Sequence, residues 1–209
     1  MSESEALSFK IGMVGDQQIG KTSLMVKYVQ NEFDEDYILT LGVNFMEKKQ
    51  KIRGQEVVFN IWDLGGAKEF VNMLPLVCND ASAILFMFDL TRESTLVGVK
   101  EWYRQARKFN KKAAPFLVGT KFDLFIALPP ETQASTVNKA RAYAKAMKCP
   151  LIFASARISI NVKNIFKIVL AKLLDFKPQI EEIHEPLCPI LELEPYAQHT
   201  ADGKEEEKL

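Results

Sequence analysis

Gly15-Asp16-Gln17-Gln18-Ile19-Gly20-Lys21-Thr22 stands between an apolar run, Ile11-Gly12-Met13-Val14, and a stretch with helical spacing that begins near Lys21. It has the form G-x-x-x-x-G-K-[ST], a phosphate-binding P-loop. Successive backbone N–H groups must curl around phosphate oxygens, and Gly15 and Gly20 permit conformations that residues with a Cβ rarely adopt. Lys21 would then reach the β- and γ-phosphates, and the Thr22 hydroxyl would bind Mg2+. Gln17, Gln18, Ile19 and Ser23 complete the candidate cradle. A chance glycine turn is the alternative, and a strand before it with a helix after it argues against chance.

Outward from that stretch, Phe9 to Val14 is predicted to be a strand and Thr22 to Gln30 a helix with Leu24, Met25, Tyr28 and Val29 on one side. Val43 to Ile52 and Val57 to Trp62 are predicted to pair as a hairpin across Arg53-Gly54-Gln55-Glu56. The run Ala83-Ile84-Leu85-Phe86-Met87-Phe88 is apolar throughout, as a central parallel strand covered on both faces should be. Ser94 to Phe109 reads as a helix packing through Leu96, Val99, Trp102 and Tyr103, and Pro115 to Val118 as a buried strand. Pro129-Pro130 opens a further helix that continues over Val137 to Met147, and Leu151 to Ala154 is the last predicted strand. Val162, Ile165, Phe166, Val169, Leu170, Leu173 and Leu174 form the strongest helical stripe in the chain.

Strands alternating with helices imply an α/β fold: a mostly parallel six-stranded sheet with one antiparallel edge strand and helices on both faces. Ligands in such sheets bind beyond the carboxyl ends of the strands. The expected organisation is an N-terminal extension over 1–7, a folded domain over 8–177 and a C-terminal extension over 178–209. The composition of that extension, rich in Pro and Glu, predicts disorder over about its last ten residues. His184 and His199 both fall in it, away from every motif.

With 209 residues, 47% of them hydrophobic, the chain can bury one sizeable core and form one domain. Lys+Arg and Asp+Glu both number 27, so no net field draws it to nucleic acid or membrane. Cys78, Cys149 and Cys188 are scattered and lie outside any C-x-x-C, which argues against a disulfide frame or zinc site. The start, Met1-Ser2-Glu3-Ser4-Glu5, lacks the basic-then-apolar pattern of a signal peptide, and Ser2 excludes N-myristoylation. No run reaches the roughly eighteen apolar residues of a membrane span. These features together predict a soluble, cytoplasmic protein.

A P-loop alone leaves ATPases, kinases and GTPases open, and three further stretches narrow the choice. Asp63-Leu64-Gly65-Gly66 has the form D-x-x-G, in which the carboxylate would hold Mg2+ and the Gly66 N–H would meet the γ-phosphate. Gly119-Thr120-Lys121-Phe122-Asp123 resembles the guanine-reading N-K-x-D motif. An ionised Asp123 would accept hydrogen bonds from the N1–H and 2-amino groups of guanine, which adenine cannot offer, while Lys121 would lay its alkyl stem along the base. Ser155-Ala156-Arg157 resembles S-A-K, in which the alanine N–H contacts the guanine oxygen.

In this order and spacing the motifs resemble the small GTPases of the Ras superfamily over about residues 8–176. Thr40-Leu41-Gly42-Val43-Asn44-Phe45 looks Rab-like. Trp62-Asp63-Leu64-Gly65-Gly66, Glu101-Trp102-Tyr103-Arg104-Gln105, Gly119-Thr120-Lys121-Phe122-Asp123 and Ile165-Phe166-Lys167-Ile168-Val169-Leu170-Ala171-Lys172 are more similar to the septation and mitotic-exit GTPases of fungi. The resemblance implies a P-loop NTPase of the G-domain kind that binds GTP or GDP with Mg2+ and hydrolyses GTP. Thr40 would be the switch I threonine, binding Mg2+ and the γ-phosphate only in the triphosphate state. Phe33 would pack edge-on against guanine, Tyr37 would cover the phosphates, and Ala67 to Asp80 would form switch II. Implied partners are an exchange factor, a GTPase-activating protein and an effector in a protein kinase pathway, with a protein scaffold at the spindle pole.

The chain also departs from that pattern. Ala67 stands where most small GTPases have the glutamine that orients the attacking water, which predicts slow intrinsic hydrolysis. Gln17 and Gln18 occupy positions that are often small, and would crowd an arginine offered by a partner. Thr120 replaces the asparagine whose amide ties the base loop to the P-loop, and Arg157 replaces lysine while keeping the charge. The chain ends in Lys208-Leu209 without a terminal cysteine motif, so no direct lipid anchor is expected. Besides a cycling switch, a GTP-locked scaffold and a Rab-like vesicle-traffic GTPase remain open readings.

Overall fold

The computed structural model describes residues 6–34, 39–52, 54–185 and 187–194. Tyr37, His199, residues 1–5 and the last ten residues therefore lie outside the described residues. The sheet is built from β1 (Leu7–Val14), β2 (Val43–Ile52), β3 (Gln55–Leu64), β4 (Ala83–Asp89), β5 (Ala114–Thr120), β6 (Leu151–Phe153) and β7 (Leu191–Glu192). Its spatial order is β2-β3-β1-β4-β5-β6-β7. β3, β1, β4, β5 and β6 run parallel, and β2 joins β3 antiparallel in register Val43↔Leu64 to Ile52↔Gln55. The helices are α1 (Lys21–Gln30), α2 (Leu74–Cys78), α3 (Glu93–Phe109), α4 (Phe122–Phe125), α5 (Pro130–Met147) and α6 (Val162–Leu173), with a 3-10 segment over Lys68–Met73.

Every residue of β4 is buried, and its alternation divides the core in two. Ile84, Phe86 and Phe88 face α2, α3 and α5, packing with Val77, Leu96, Val99 and Val137. Ala83, Leu85 and Met87 face α1 and α6, packing with Leu24, Met25, Ile165 and Val169. The amphipathic stripe of α6 is thus buried as its spacing requires, and Tyr28 of α1 stacks on Phe166 at 3.6 Å between ring centroids.

The expected six strands and their antiparallel edge are present, and a seventh strand extends the sheet. β7 pairs antiparallel with β6 through Leu151↔Glu192 and Ile152↔Leu191. Ile190 and Leu191 are buried, and Ile183 bridges back to Leu191, so part of the C-terminal extension packs on the domain. Each motif sits at the carboxyl end of a parallel strand: the P-loop after β1, Asp63 in β3, Thr120 in β5 and Ser155 after β6.

Candidate functional site

The P-loop closes because its glycines accept what other residues would not. Gly15 has φ +148, and a Cβ there would lie 2.3 Å from the Met87 carbonyl oxygen. Gly20 has φ +87 and opens α1, whose first N–H groups face the loop. Lys21 is buried, and its Nζ donates to the carbonyls of Gly15 (3.0 Å) and Asp16 (2.7 Å). Burial pulls this ammonium down to about 8, against the opposite pull of Asp63 and Asp16. It is a cation held short of full solvation, ready for an anion.

Three side-chain oxygens converge beside it. The Thr22 hydroxyl donates to Asp63 Oδ2 and lies 2.7 Å from the Thr40 hydroxyl. Asp63 is fully buried, and its Oδ1 has no hydrogen-bond partner among the described residues. Burial raises its carboxyl to about 6, although Lys21 and Thr22 act the other way. Two hydroxyls and a buried carboxylate with one oxygen left unpaired are a donor set for a hard cation, so these residues fit Mg2+. Among the described residues no group of three or more His, Cys, Asp or Glu could hold a metal.

Gly66 lies against the P-loop so closely that a Cβ would sit 2.2 Å from Gln17 N. Ala67 follows in extended conformation, with φ −77 and ψ 147, just before the 3-10 segment. Its methyl group can neither donate nor accept a hydrogen bond.

At the other end of the site, Lys121 adopts φ 59 and precedes α4, which carries Asp123. Ser155 Oγ donates to Asp123 Oδ1 at 2.6 Å, fixing the carboxylate. A cleft of about 350 Å3 is lined here by Ser23, Phe33, Lys121, Asp123, Ala156 and Arg157. It meets a second cleft of about 740 Å3 that takes in Gln17, Gln18, Lys21, Thr22, Thr40 and Gly66. Gly20, Ser23, Phe33 and Lys121 border both, so the two clefts are continuous.

Residues 10–175 match the Ras family. The chain belongs to the Ras family. It is 62% identical to septum-promoting GTP-binding protein 1 of Schizosaccharomyces pombe over 186 residues, 89% of this chain and 94% of that protein. It is 33% identical to Ras-related protein SEC4 of Saccharomyces cerevisiae, over 80% of this chain and 75% of that one. Ras-related protein Rab-21 of Homo sapiens is 28% identical over 85% of this chain and 76% of its own length. As a Ras-family small GTPase the protein binds guanine nucleotide and hydrolyses GTP. No described helix is long and apolar enough to cross a membrane.

Most of the expected site residues line the two clefts, and hydrogen bonds join Gly15, Asp63 and Ser155 to them; Ala67 lines neither cleft and is placed only by following Gly66, and Tyr37 lies outside the described residues. Thr120 changes one expectation in detail. Its hydroxyl lies 2.5 Å from the Ile19 carbonyl and 2.9 Å from that of Phe88, so a tie between base loop and P-loop remains without the asparagine amide. Three polar side chains escaped the motif reading. Trp102 Nε1 donates to Asp16 Oδ1 at 2.8 Å, tying α3 to the P-loop. Asp89, at the end of β4, is buried and ion-paired to Lys121 (2.8 Å) and Arg92 (3.0 Å). Burial alone would raise the Asp89 carboxyl, but hydrogen bonds from Lys121 and Thr91 outweigh it and hold the carboxyl below its usual value. A carboxylate ending an apolar strand, at the same sheet level as the recognised motifs, was the available signal.

Proposed function

We propose that this protein is a guanine-nucleotide switch with a long-lived GTP state, acting in septation or mitotic exit through an effector that reads its switch regions. The observation that carries the slow cycle is Ala67, beside Gly66 at the phosphate end of the site, where the attacking water would need an orienting amide. Similarity to a septum-promoting GTP-binding protein over nearly its whole length supports the assignment to septation. An effector in a protein kinase pathway and a spindle-pole scaffold are the partners this reading carries, with an exchange factor and an activating protein as regulators.

In this reading Asp123 accepts from guanine N1–H and the 2-amino group, the Ala156 N–H meets the guanine oxygen, and Lys121 and Phe33 flank the base. Lys21 and the loop amides from Gln17 to Thr22 bind the phosphates, and the Gly66 N–H faces the γ-phosphate. Thr22, Thr40 and Asp63 would hold Mg2+, which would supply charge neutralisation. Hydrolysis is an in-line attack of water on the γ-phosphate; the chain stabilises the developing charge and leaves the water unoriented at Ala67. A partner arginine would meet Gln17 and Gln18, so activation by an amide supplied in trans fits better. Ala67 equally favours a second reading, a scaffold that holds GTP and scarcely turns over.

Extraction of nucleotide from the purified protein tests the assignment. Guanine nucleotide with a large GTP share is expected. GDP alone would contradict the long-lived GTP state, and adenine nucleotides would overturn the base assignment.

A further inference from the structure

Beside the phosphate-binding loop a charged cluster joins Lys121, which borders both clefts, to Asp89 and Arg92, which the site motifs do not include. Asp89 Oδ2 pairs with Lys121 Nζ at 2.8 Å and Arg92 Nε at 3.0 Å. Asp89 Oδ1 accepts from Thr91 N at 2.9 Å and Thr91 Oγ1 at 2.6 Å, so the buried carboxylate is fully engaged. The two cations then reach forward. Arg92 NH2 donates to the Gln17 carbonyl at 3.0 Å, and Lys121 Nζ donates to the Gln18 carbonyl at 2.8 Å. Thr120 Oγ1 holds the next carbonyl, that of Ile19.

Among the described residues no peptide bond is cis, so each carbonyl of the loop points opposite to the N–H of the following residue. Three consecutive carbonyls held by these side chains therefore fix the N–H groups of Gln18, Ile19 and Gly20 in the opposite direction, and all three residues line the second cleft. Gln18 needs that restraint, because its φ of 61 lies in a region side-chain-bearing residues seldom occupy.

We infer that Asp89 and Arg92 are positioning residues for the phosphate-binding loop. Asp89 is the buried anion that seats two cations side by side. Arg92 and Lys121 pass its charge on to the carbonyls of Gln17 and Gln18, which fixes the amides that meet the phosphates. This deepens the proposed nucleotide site and rests on it. Without the carboxylate the two cations repel each other and swing outward, and the loop amides lose their common orientation. The consequence is faster nucleotide release, although Asp89 and Arg92 themselves line neither cleft.

The test is the release rate of ribose-labelled fluorescent GDP, displaced by excess GDP in Mg2+, from the full chain. Asp89→Asn is expected to speed release about ten-fold, the scale of a lost charge-assisted hydrogen bond. Arg92→Gln should speed it several-fold, Arg92→Lys should recover part of that loss, and the double variant should release no faster than Asp89→Asn. The midpoint gain that saturating GDP gives in thermal unfolding should shrink in the same order, while the nucleotide-free midpoint of Arg92→Gln stays unchanged. Release at the native rate in both single variants overturns the inference, as do independent, multiplying effects. If Asp89→Asn does not fold, Arg92→Gln and Arg92→Lys, at a half-buried surface position, decide alone. A native chain that takes up no labelled GDP would instead sink the nucleotide-site reading.

Discussion

Asp123 and Asp63 are both carboxylates at strand ends, and their surroundings give them different tasks. Asp123 is held by Ser155 at the cleft that Lys121, Ala156 and Arg157 also line. Asp123→Asn exchanges an acceptor for an amide that matches the 2-oxo group of xanthine. GDP affinity should fall roughly a hundred-fold while xanthosine diphosphate affinity rises, measured by competition against labelled nucleotide. An unchanged preference for GDP would remove Asp123 from base reading. Asp63 is buried, and in the metal-free, nucleotide-free protein its carboxyl stands near 6, above its unfolded value. The folded state therefore holds the extra proton between roughly pH 4 and 6. The stability this group contributes is complete below about pH 4 and is lost as pH rises through 6. Asp63→Asn should flatten that fall, read as unfolding midpoints in chelator across pH 4 to 7. An identical slope in both proteins would contradict it.

The same contrast between local and distant causes appears in the secondary elements. The stripe of α6 and the all-apolar β4 were legible because one periodicity, helical or continuous, is written inside each segment. β7 was not, since two residues carry no period and the surrounding Pro and Glu read as solvated chain. Its stability comes from afar. Glu192 is buried and accepts from Arg141 of α5, Nε at 2.9 Å and NH2 at 2.7 Å, and the same guanidinium reaches the His184 carbonyl. Asn161, at the start of α6, adds a hydrogen bond to the Pro189 carbonyl. Glu192→Ala leaves the partly buried Arg141 without this carboxylate and should cost about 2 kcal/mol in denaturant unfolding. A loss below about 0.5 kcal/mol would mean that β7 adds nothing to the domain.

Across the molecule, function collects on one end of the sheet, where β1, β3, β4, β5 and β6 terminate. The P-loop, Asp63, Asp123 and Ser155 were readable from sequence because nucleotide chemistry demands particular residues at particular spacings. Asp89, Arg92 and Trp102 were not, because they act on loop atoms 70 or more positions away and are not tied to a fixed spacing. Thr120 lay between the two cases: its position was clear, but only the packed structure brings its hydroxyl to the Ile19 carbonyl. Ala67 is the residue on which the account of the whole cycle turns, and single-turnover hydrolysis of preloaded Mg–GTP tests it most directly. Slow turnover by the native chain, rising about ten-fold or more in Ala67→Gln, is the predicted result. Fast native turnover that Ala67→Gln leaves unchanged would contradict it.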